Sequence, residues 1–236
     1  RATDNLSLSI KRGTISTIIG PNGAGKSTIF NMVTGYIAPS DGEILYEGER
    51  IDGTPTFRIN RSGIARAFQI SKPFADLTVY ENVMVGACFG RTGPRDITAV
   101  TREALALTGL TDLAGDMAST LPVGHLRRLE MARVIATRPN LVLADEPCAG
   151  LNPAETMEMT DILQALRENG TTVVLVEHDM AAVMRISDYV FVVAAGQLIA
   201  EGLPSEVVHD PMVIEKYLGK PLPREAPAPA GEGDRS

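Results

Sequence analysis

The sequence predicts an α/β fold in which helices cover a sheet of buried strands. Short apolar stretches at residues 14–19, 141–144 and 172–176 have the length and composition of buried strands. A helical pattern at 26–36 directly follows the first stretch. Strands that alternate with helices in this way are typical of a sheet core covered by helices.

The middle of the chain differs from both ends. Between about residues 73 and 124 the strand signal fades, and a helix-compatible run occupies 100–109. We therefore expect a helical subdomain inserted into the sheet core. From residue 220 onward the chain is rich in Pro, Ala, Gly and charged residues, a composition that buries too little apolar surface to order itself. Residues 220–236 are therefore expected to form a flexible tail.

The composition of the whole chain argues against several classes of protein. The 236 residues are 44% hydrophobic, which is ordinary for a globular protein with a sizeable core. A net charge of -7 and a pI near 5.1 argue against a polyanion-binding surface, so nucleic acid is not an expected partner. No apolar run approaches the roughly 20 residues that cross a bilayer, so any membrane contact is expected to be made through another protein. Cys88 and Cys148 lie far apart, as expected of free thiols in a reducing cytosol.

A phosphate-binding motif follows the first predicted strand and opens the first predicted helix. Its pattern is GxxxxGK[ST], and its residues are Gly20, Pro21, Asn22, Gly23, Ala24, Gly25, Lys26, Ser27 and Thr28. The glycines allow backbone N–H groups to point at phosphate oxygens, and the helix N-terminus adds its positive dipole end. Lys26 is expected to reach the β and γ phosphates, and Ser27 to supply a hydroxyl to Mg²⁺. The motif alone indicates a nucleoside triphosphatase.

Two adjacent acids end the predicted strand at 141–144. Asp145 suits a Mg²⁺ ligand, and Glu146 suits a carboxylate that polarises the water attacking the γ phosphate. The next predicted strand leads to His178, which is expected at the same sheet edge. Gln69 is a further candidate contact to the metal or the attacking water. Taken singly, each has an ordinary alternative: surface acids, a structural histidine and a loop glutamine.

Six ordered sequence elements resemble those of the ABC ATPase family. They are GPNGAGKST (20–28), AFQ (67–69), LPVGHLRRLEMAR (121–133), LVLADEP (141–147), AGLNP (149–153) and VEHDM (176–180). The resemblance covers about residues 4–219. It implies a P-loop NTPase (RecA-like) core with an antiparallel β edge, and a helical subdomain inserted at about 73–137. The ABC ATPase domain is thus expected to span residues 1–219.

The family resemblance also implies a head-to-tail dimer. Two ATP molecules would lie between the phosphate loop of one subunit and the signature segment of the other. The residues expected to reach ATP from the signature segment and the following D-loop are Leu121, Gly124, His125 and Asn152. The second subunit is either another copy or a similar, distinct ATPase.

The signature segment departs from the family pattern LSGGQ, since it reads LPVGH at residues 121–125. Pro122 lacks the hydroxyl that serine would offer to the partner's γ phosphate, and the branched Val123 resists the positive φ that glycine accepts. One hypothesis is an asymmetric heterodimer whose faster site contains Lys26 and Glu146. The competing reading is that the family tolerates Pro and Val here after a small backbone adjustment.

Within the family, the elements RRLEMAR, DEPCAGLNPAET and VEHDM are most similar to ATPases of branched-chain amino-acid importers. ATPases of urea or short-amide uptake share these features, so both solute classes remain open, as does a partly degenerate regulatory ATP-binding subunit. The importer reading implies transmembrane permease subunits as partners and, indirectly, a solute-binding protein. It places the chain on the cytoplasmic side of the membrane as a peripheral subunit, with Phe74 near the permease dock.

Overall fold

The strands of the protein form one mixed sheet and a separate short ribbon. The computed structural model describes residues 3–69, 72–91 and 96–213, so the predicted tail lies outside the described residues. The strands are β1 (Ile15–Ile19), β2 (Leu45–Tyr46), β3 (Glu49–Arg50), β4 (Ile64–Ala67), β5 (Leu141–Asp145), β6 (Thr172–Val176), β7 (Tyr189–Ala194) and β8 (Gln197–Gly202).

The helices alternate with these strands and continue through the middle of the chain. They are α1 (Lys26–Val33), α2 (Thr56–Ser62), α3 (Val79–Phe89), α4 (Ile97–Leu107), α5 (Val123–Ala136), α6 (Pro153–Glu168), α7 (Met180–Ile186), α8 (Pro204–Val207) and α9 (Pro211–Val213). Single 3₁₀ turns occupy Thr111–Leu113 and Ala118–Thr120. Among the described helices, none has the length and apolar character needed to cross a membrane.

The main sheet has the strand order β4-β5-β6-β1-β7-β8. The first five strands pair in parallel, and β8 pairs antiparallel with β7 at one edge. Every residue of β1 and β6 is buried, because helices cover both faces of a parallel sheet and leave no polar side to the central strands. The predicted α/β core with an antiparallel edge is therefore confirmed.

Each face of the sheet carries its own hydrophobic core. Val142 and Leu175 pack with Leu163 of α6 on one face, whereas Leu143 packs with Phe30 of α1 on the other. Successive residues of a strand point to opposite faces, which is why the neighbours Val142 and Leu143 belong to different cores.

Helices α3, α4 and α5 form a third core of their own. Val83, Leu105 and Leu129 are among its buried residues, and α3 begins with a capping box in which Thr78 and Glu81 satisfy each other's backbone N–H groups. Helix α5 also packs on the sheet through Met131. The bounds predicted for the helical subdomain, 73–137, stay a prediction.

Several predicted boundaries change. Strand β6 has its predicted bounds, β1 begins one residue later and β5 ends one residue later. Helix α1 ends at Val33, three residues before its predicted end, because Gly35 adopts a φ of 73°, in a position where a Cβ would lie 2.4 Å from the Thr54 carbonyl oxygen. Helix α4 starts three residues early, since the Asp96 side chain caps it by accepting from the Ala99 N–H.

Candidate active site

The phosphate loop, residues 20–28, connects β1 to the N-terminus of α1. A Cβ on Gly20 would lie 1.9 Å from the carbonyl oxygen of Val193, and Gly25 precedes the helix with a φ of 101°. Both positions therefore require glycine. The first turn of α1 has no acidic residue and its N-cap makes no side-chain hydrogen bond, so its N–H groups and dipole favour an anion.

Lys26 is buried at the start of α1. Its ammonium donates to the carbonyls of Gly20 and Pro21 at 2.6 and 3.0 Å. Burial lowers the pKa of Lys26, and the nearby carboxylates of Glu146 and Asp145 oppose that effect. The loop lysine and the two acids predicted from the next motif therefore share one electrostatic environment.

The remaining residues of the phosphate loop differ in their exposure. Asn22, Gly23 and Ser27 are exposed, whereas Ala24 is buried and its carbonyl accepts from the Gly196 N–H at 3.0 Å. The Ser27 hydroxyl, the side chain predicted to reach Mg²⁺, is thus accessible at the beginning of α1.

Glu146 follows β5 in a left-handed backbone conformation, with φ at 49°. Its N–H donates to the Val176 carbonyl at 2.9 Å, so the turn is anchored to the neighbouring strand. A non-glycine residue in this conformation costs about 1–3 kcal/mol, and such strain clusters at functional sites.

The three residues predicted to be catalytic lie together. Gln69 Nε2 donates to Glu146 Oε2 at 2.6 Å, and His178 Nε2 lies 3.2 Å from Glu146 Oε1. Each carboxylate oxygen of Glu146 therefore contacts a different side chain, one from the segment after β4 and one from the segment after β6. We refer to these residues as the Gln69–Glu146–His178 cluster.

Asp145 forms a buried ion pair that the sequence did not indicate. Arg66 Nη2 donates to Asp145 Oδ2 at 2.7 Å, and the side chains are only 8% and 7% exposed. The available signal was a single arginine inside the otherwise apolar strand β4, since a buried guanidinium requires a partner.

Glu177 is hydrogen-bonded to the backbone of two segments that adjoin the cluster. Its carboxylate accepts from the N–H groups of Cys148 and His178 at 2.8 and 3.1 Å. Burial raises the pKa of Glu177, although these hydrogen bonds act in the opposite direction. Burial likewise raises the pKa of the Cys148 thiol, so this cysteine is a packed side chain beside the site.

The signature segment has an ordinary backbone, which corrects the expectation of strain at Val123. Pro122 is the N-cap of α5 with φ -67° and ψ 163°, and Val123 is the first helical residue, with no positive φ. Proline and valine both accept these conformations. This geometry supports the competing reading for the backbone of the segment, whereas the missing hydroxyl of Pro122 is unaffected by it.

Two signature residues predicted to reach ATP are buried within the chain. Leu121 packs in the core of α3, α4 and α5, and a Cβ on Gly124 would lie 2.3 Å from Glu155 Oε1 of α6. Their side-chain positions therefore serve packing, and Pro122 and Val123 are what the segment exposes. The buried Nδ1 of His125 has no hydrogen-bond partner among the described residues.

Asn152 caps α6, a role that the sequence analysis did not assign to it. Its Oδ1 accepts from the N–H groups of Ala154 and Glu155, both at 3.0 Å, and Glu155 Oε2 accepts from the Asn152 N–H at 2.9 Å. The amide oxygen of Asn152 therefore caps the start of α6, and its predicted contact with ATP stays a prediction.

Arg127 connects three parts of the site and was also missed. From α5 it donates to the Gln69 carbonyl and, at 3.3 Å, to the Ala149 carbonyl. The signature helix is thereby joined to the Gln69 segment and to the loop after Glu146.

The phosphate loop, the acids that end β5 and this sheet order together define a nucleotide-binding cassette. The ABC transporter family model matches residues 3–149 of the 236, more than half of the chain, so the chain belongs to the ABC transporter family. The membership in the ABC ATPase family that the sequence motifs predicted is therefore confirmed.

Among its relatives is the high-affinity branched-chain amino acid transport ATP-binding protein LivG of Salmonella typhimurium. The two are 40% identical over 235 residues, 93% of this chain and 92% of LivG. The corresponding protein BraF of Pseudomonas aeruginosa is 38% identical, again over 93% of this chain and 92% of its own length.

Solved structures of the family have the same fold. The ADP conformation of MJ1267, an ATP-binding cassette of an ABC transporter, matches with a TM-score of 0.83 and 30% identity over 93% of both chains. A dimeric post-hydrolysis structure of the cassette MJ0796, bound to ADP and Pi, matches with a TM-score of 0.77 and 26% identity over 86% of this chain and 90% of that one.

Proposed function

We propose that this chain binds and hydrolyses ATP as a motor subunit of an importer for branched-chain amino acids. The observation that carries the proposal is the Gln69–Glu146–His178 cluster, in which two side chains contact the carboxylate of Glu146, a residue with a strained backbone, near the phosphate-loop lysine, Lys26.

The residues around the loop fit a Mg²⁺ ion. Ser27 offers a hydroxyl, Asp145 a carboxylate and Gln69 an amide carbonyl, which are the hard oxygen donors that Mg²⁺ prefers. When bound with ATP, the ion would neutralise charge on the β and γ phosphates.

The residues of the chain have separate roles in phosphate binding and hydrolysis. Lys26 and the N-terminus of α1 bind the phosphates, and Glu146 accepts a proton from the attacking water as its general base. Gln69 and His178 orient that carboxylate, because each contacts one of its oxygens. General-base catalysis of this kind contributes roughly 10²- to 10⁴-fold.

The wider assembly follows from the family. The chain acts in a head-to-tail dimer with itself or a related ATPase, attached to transmembrane permease subunits on the cytoplasmic side and served by a solute-binding protein. We assign Phe74 to the permease dock because its apolar ring is half-exposed and can contact a partner. The ring lies 5.1 Å from the guanidinium of Arg133 in α5.

The relatives named for branched-chain amino acids support that solute class over urea or short amides. The test is to purify the chain with its membrane subunits, reconstitute the complex in liposomes, and add the solute-binding protein. We expect leucine, isoleucine or valine to stimulate ATP hydrolysis. Stimulation by urea or acetamide instead would replace the solute assignment, and absence of any ATP hydrolysis would contradict the motor function.

A further inference from the structure

Arg66 occupies a position in β4 from which it reaches the acid that ends the neighbouring strand. In the parallel register of β4 and β5, Arg66 pairs with Leu143, so its side chain and that of Asp145 lie on the same face of the sheet. The resulting contact, Nη2 to Oδ2 at 2.7 Å, is almost fully buried.

The guanidinium is fixed by three further contacts. Its Nη1 donates to Asn31 Oδ1 of α1 at 2.6 Å, and its carbon lies 5.6 Å from the Phe30 ring and 4.8 Å from the Phe68 ring. The planar fork of arginine allows one group to bind a carboxylate and an amide at once. Arg66 thus connects α1, the end of β5 and the residue immediately before Gln69.

Stability alone does not account for this pair. A buried ion pair loses hydration on both charges and is often no more stabilising than apolar side chains of similar volume. Phe30 and Phe68 offer an apolar environment that a methionine at position 66 would also fill. A role in orienting the Asp145 carboxylate would explain why a charged side chain is buried at position 66.

We infer that Arg66 is a positioning residue that holds one oxygen of Asp145 and thereby orients the carboxylate for a divalent cation. The inference rests on the assignment of Asp145 to Mg²⁺ under the proposed function. Groups that hold a metal-binding carboxylate by hydrogen bonding change metal affinity by roughly 10- to 100-fold when they are removed.

Two effects of Arg66 on a cation oppose each other. Its positive charge repels a cation, whereas its hydrogen bond prevents Asp145 from turning away. Because removal of a group that holds a metal-binding carboxylate weakens metal binding, we expect the loss of the hydrogen bond to dominate and the loss of Arg66 to weaken cation binding.

The test measures Mn²⁺, a spectroscopic substitute for Mg²⁺, by electron paramagnetic resonance of the free ion in the presence of the full chain and ADP. We expect Arg66→Met to weaken Mn²⁺ binding by about tenfold or more, and Arg66→Lys by less, since lysine can still donate to Asp145 but cannot also reach Asn31. ADP affinity in EDTA should stay within about twofold of the parental value, because the phosphate loop is unchanged. The exposed Arg58→Lys in α2 serves as the matched control.

Further variants separate the possible outcomes. Asp145→Asn should abolish the Mn²⁺ site; if it does not, the metal assignment itself fails. If Asp145→Asn loses Mn²⁺ while the Arg66 variants bind it normally, only the role of Arg66 is overturned. Tighter Mn²⁺ binding by Arg66→Met, or an equal loss of ADP affinity in EDTA, also overturns it. Should Arg66→Met fail to fold, Asn31→Ala and Arg66→Lys decide the question, because normal Mn²⁺ affinity in both contradicts positioning.

Discussion

Glu177 illustrates how a single buried residue holds the catalytic segments in place. Its two oxygens accept from backbone N–H groups on either side of the site, one after β5 and one after β6. The carboxylate is almost fully buried, so its ionised form loses hydration and the pKa rises above the ordinary value near 4.5. The arrangement therefore costs stability at neutral pH.

This cost predicts a pH dependence. A raised pKa in the folded state means that the folded protein binds the proton more tightly, so stability falls as pH rises from the ordinary value through the raised one. Glu177→Gln removes the ionisation. We therefore expect the unfolding free energy of the variant, compared with that of the parent, to be higher at about pH 8 than at about pH 5. Urea denaturation at both pH values measures this. The exposed Glu168→Gln is the control; an identical pH trend in both variants would contradict the account.

For individual residues, the sequence predicted the functional side chains that belong to motifs. It missed the side chains whose role depends on contacts with residues distant in the sequence. Lys26, Glu146 and His178 were identifiable because their chemistry requires them next to a strand end or helix start. Arg66 and Arg127 act through partners 79 and 58 positions away, which only the strand order and helix packing bring close. Local patterns do not contain such pairings.

Among the elements, α5 changes the interpretation of the signature segment. A loss of activity from valine in a strained conformation is not expected, because Val123 is simply the first residue of the helix. The remaining deficit is chemical: Pro122 has no hydroxyl and makes no side-chain cap.

The signature segment therefore gives a prediction that separates its two departures. In the complex with its partner ATPase, Pro122→Ser should raise ATP hydrolysis by about tenfold or more, since a hydrogen bond to a charged group contributes about 1.5–3 kcal/mol. Val123→Gly alone should leave the rate unchanged, because its backbone needs no positive φ. Steady-state phosphate release measures both. If Pro122→Ser has no effect, the altered signature is fully functional and the asymmetric model fails.

The elements that the sequence predicted best are those with uninterrupted apolar runs, such as β1 and β6. The short hairpin of β2 and β3 has no such run, and its turn places Glu47 and Gly48 at φ 53° and 85°, where Asn–Gly is the usual signal. Strand β4 was missed because Arg66 interrupts its four residues. In each case a polar residue with a long-range or conformational role obscured the local pattern.

At the scale of the whole molecule, the site is assembled from the phosphate loop after β1, from segments at the ends of three other strands and from α5. The Gln69 segment follows β4, Glu146 follows β5 and His178 follows β6, and these three strands are neighbours in the sheet. Arg127 ties α5 to two of these segments. One side chain therefore holds α5 against the segments that contain Gln69 and Glu146.

We propose that Glu146 is the carboxylate that drives hydrolysis. The most direct test is steady-state ATP hydrolysis by Glu146→Gln in complex with its partner subunit, measured beside ATP binding by equilibrium titration. We expect turnover to fall by roughly 10²-fold or more while ATP binding is retained, because glutamine keeps the size of Glu146 and one acceptor oxygen but is not a base. Lys26→Ala, the control, should lose ATP binding itself. Hydrolysis by Glu146→Gln at the parental rate would contradict the claim.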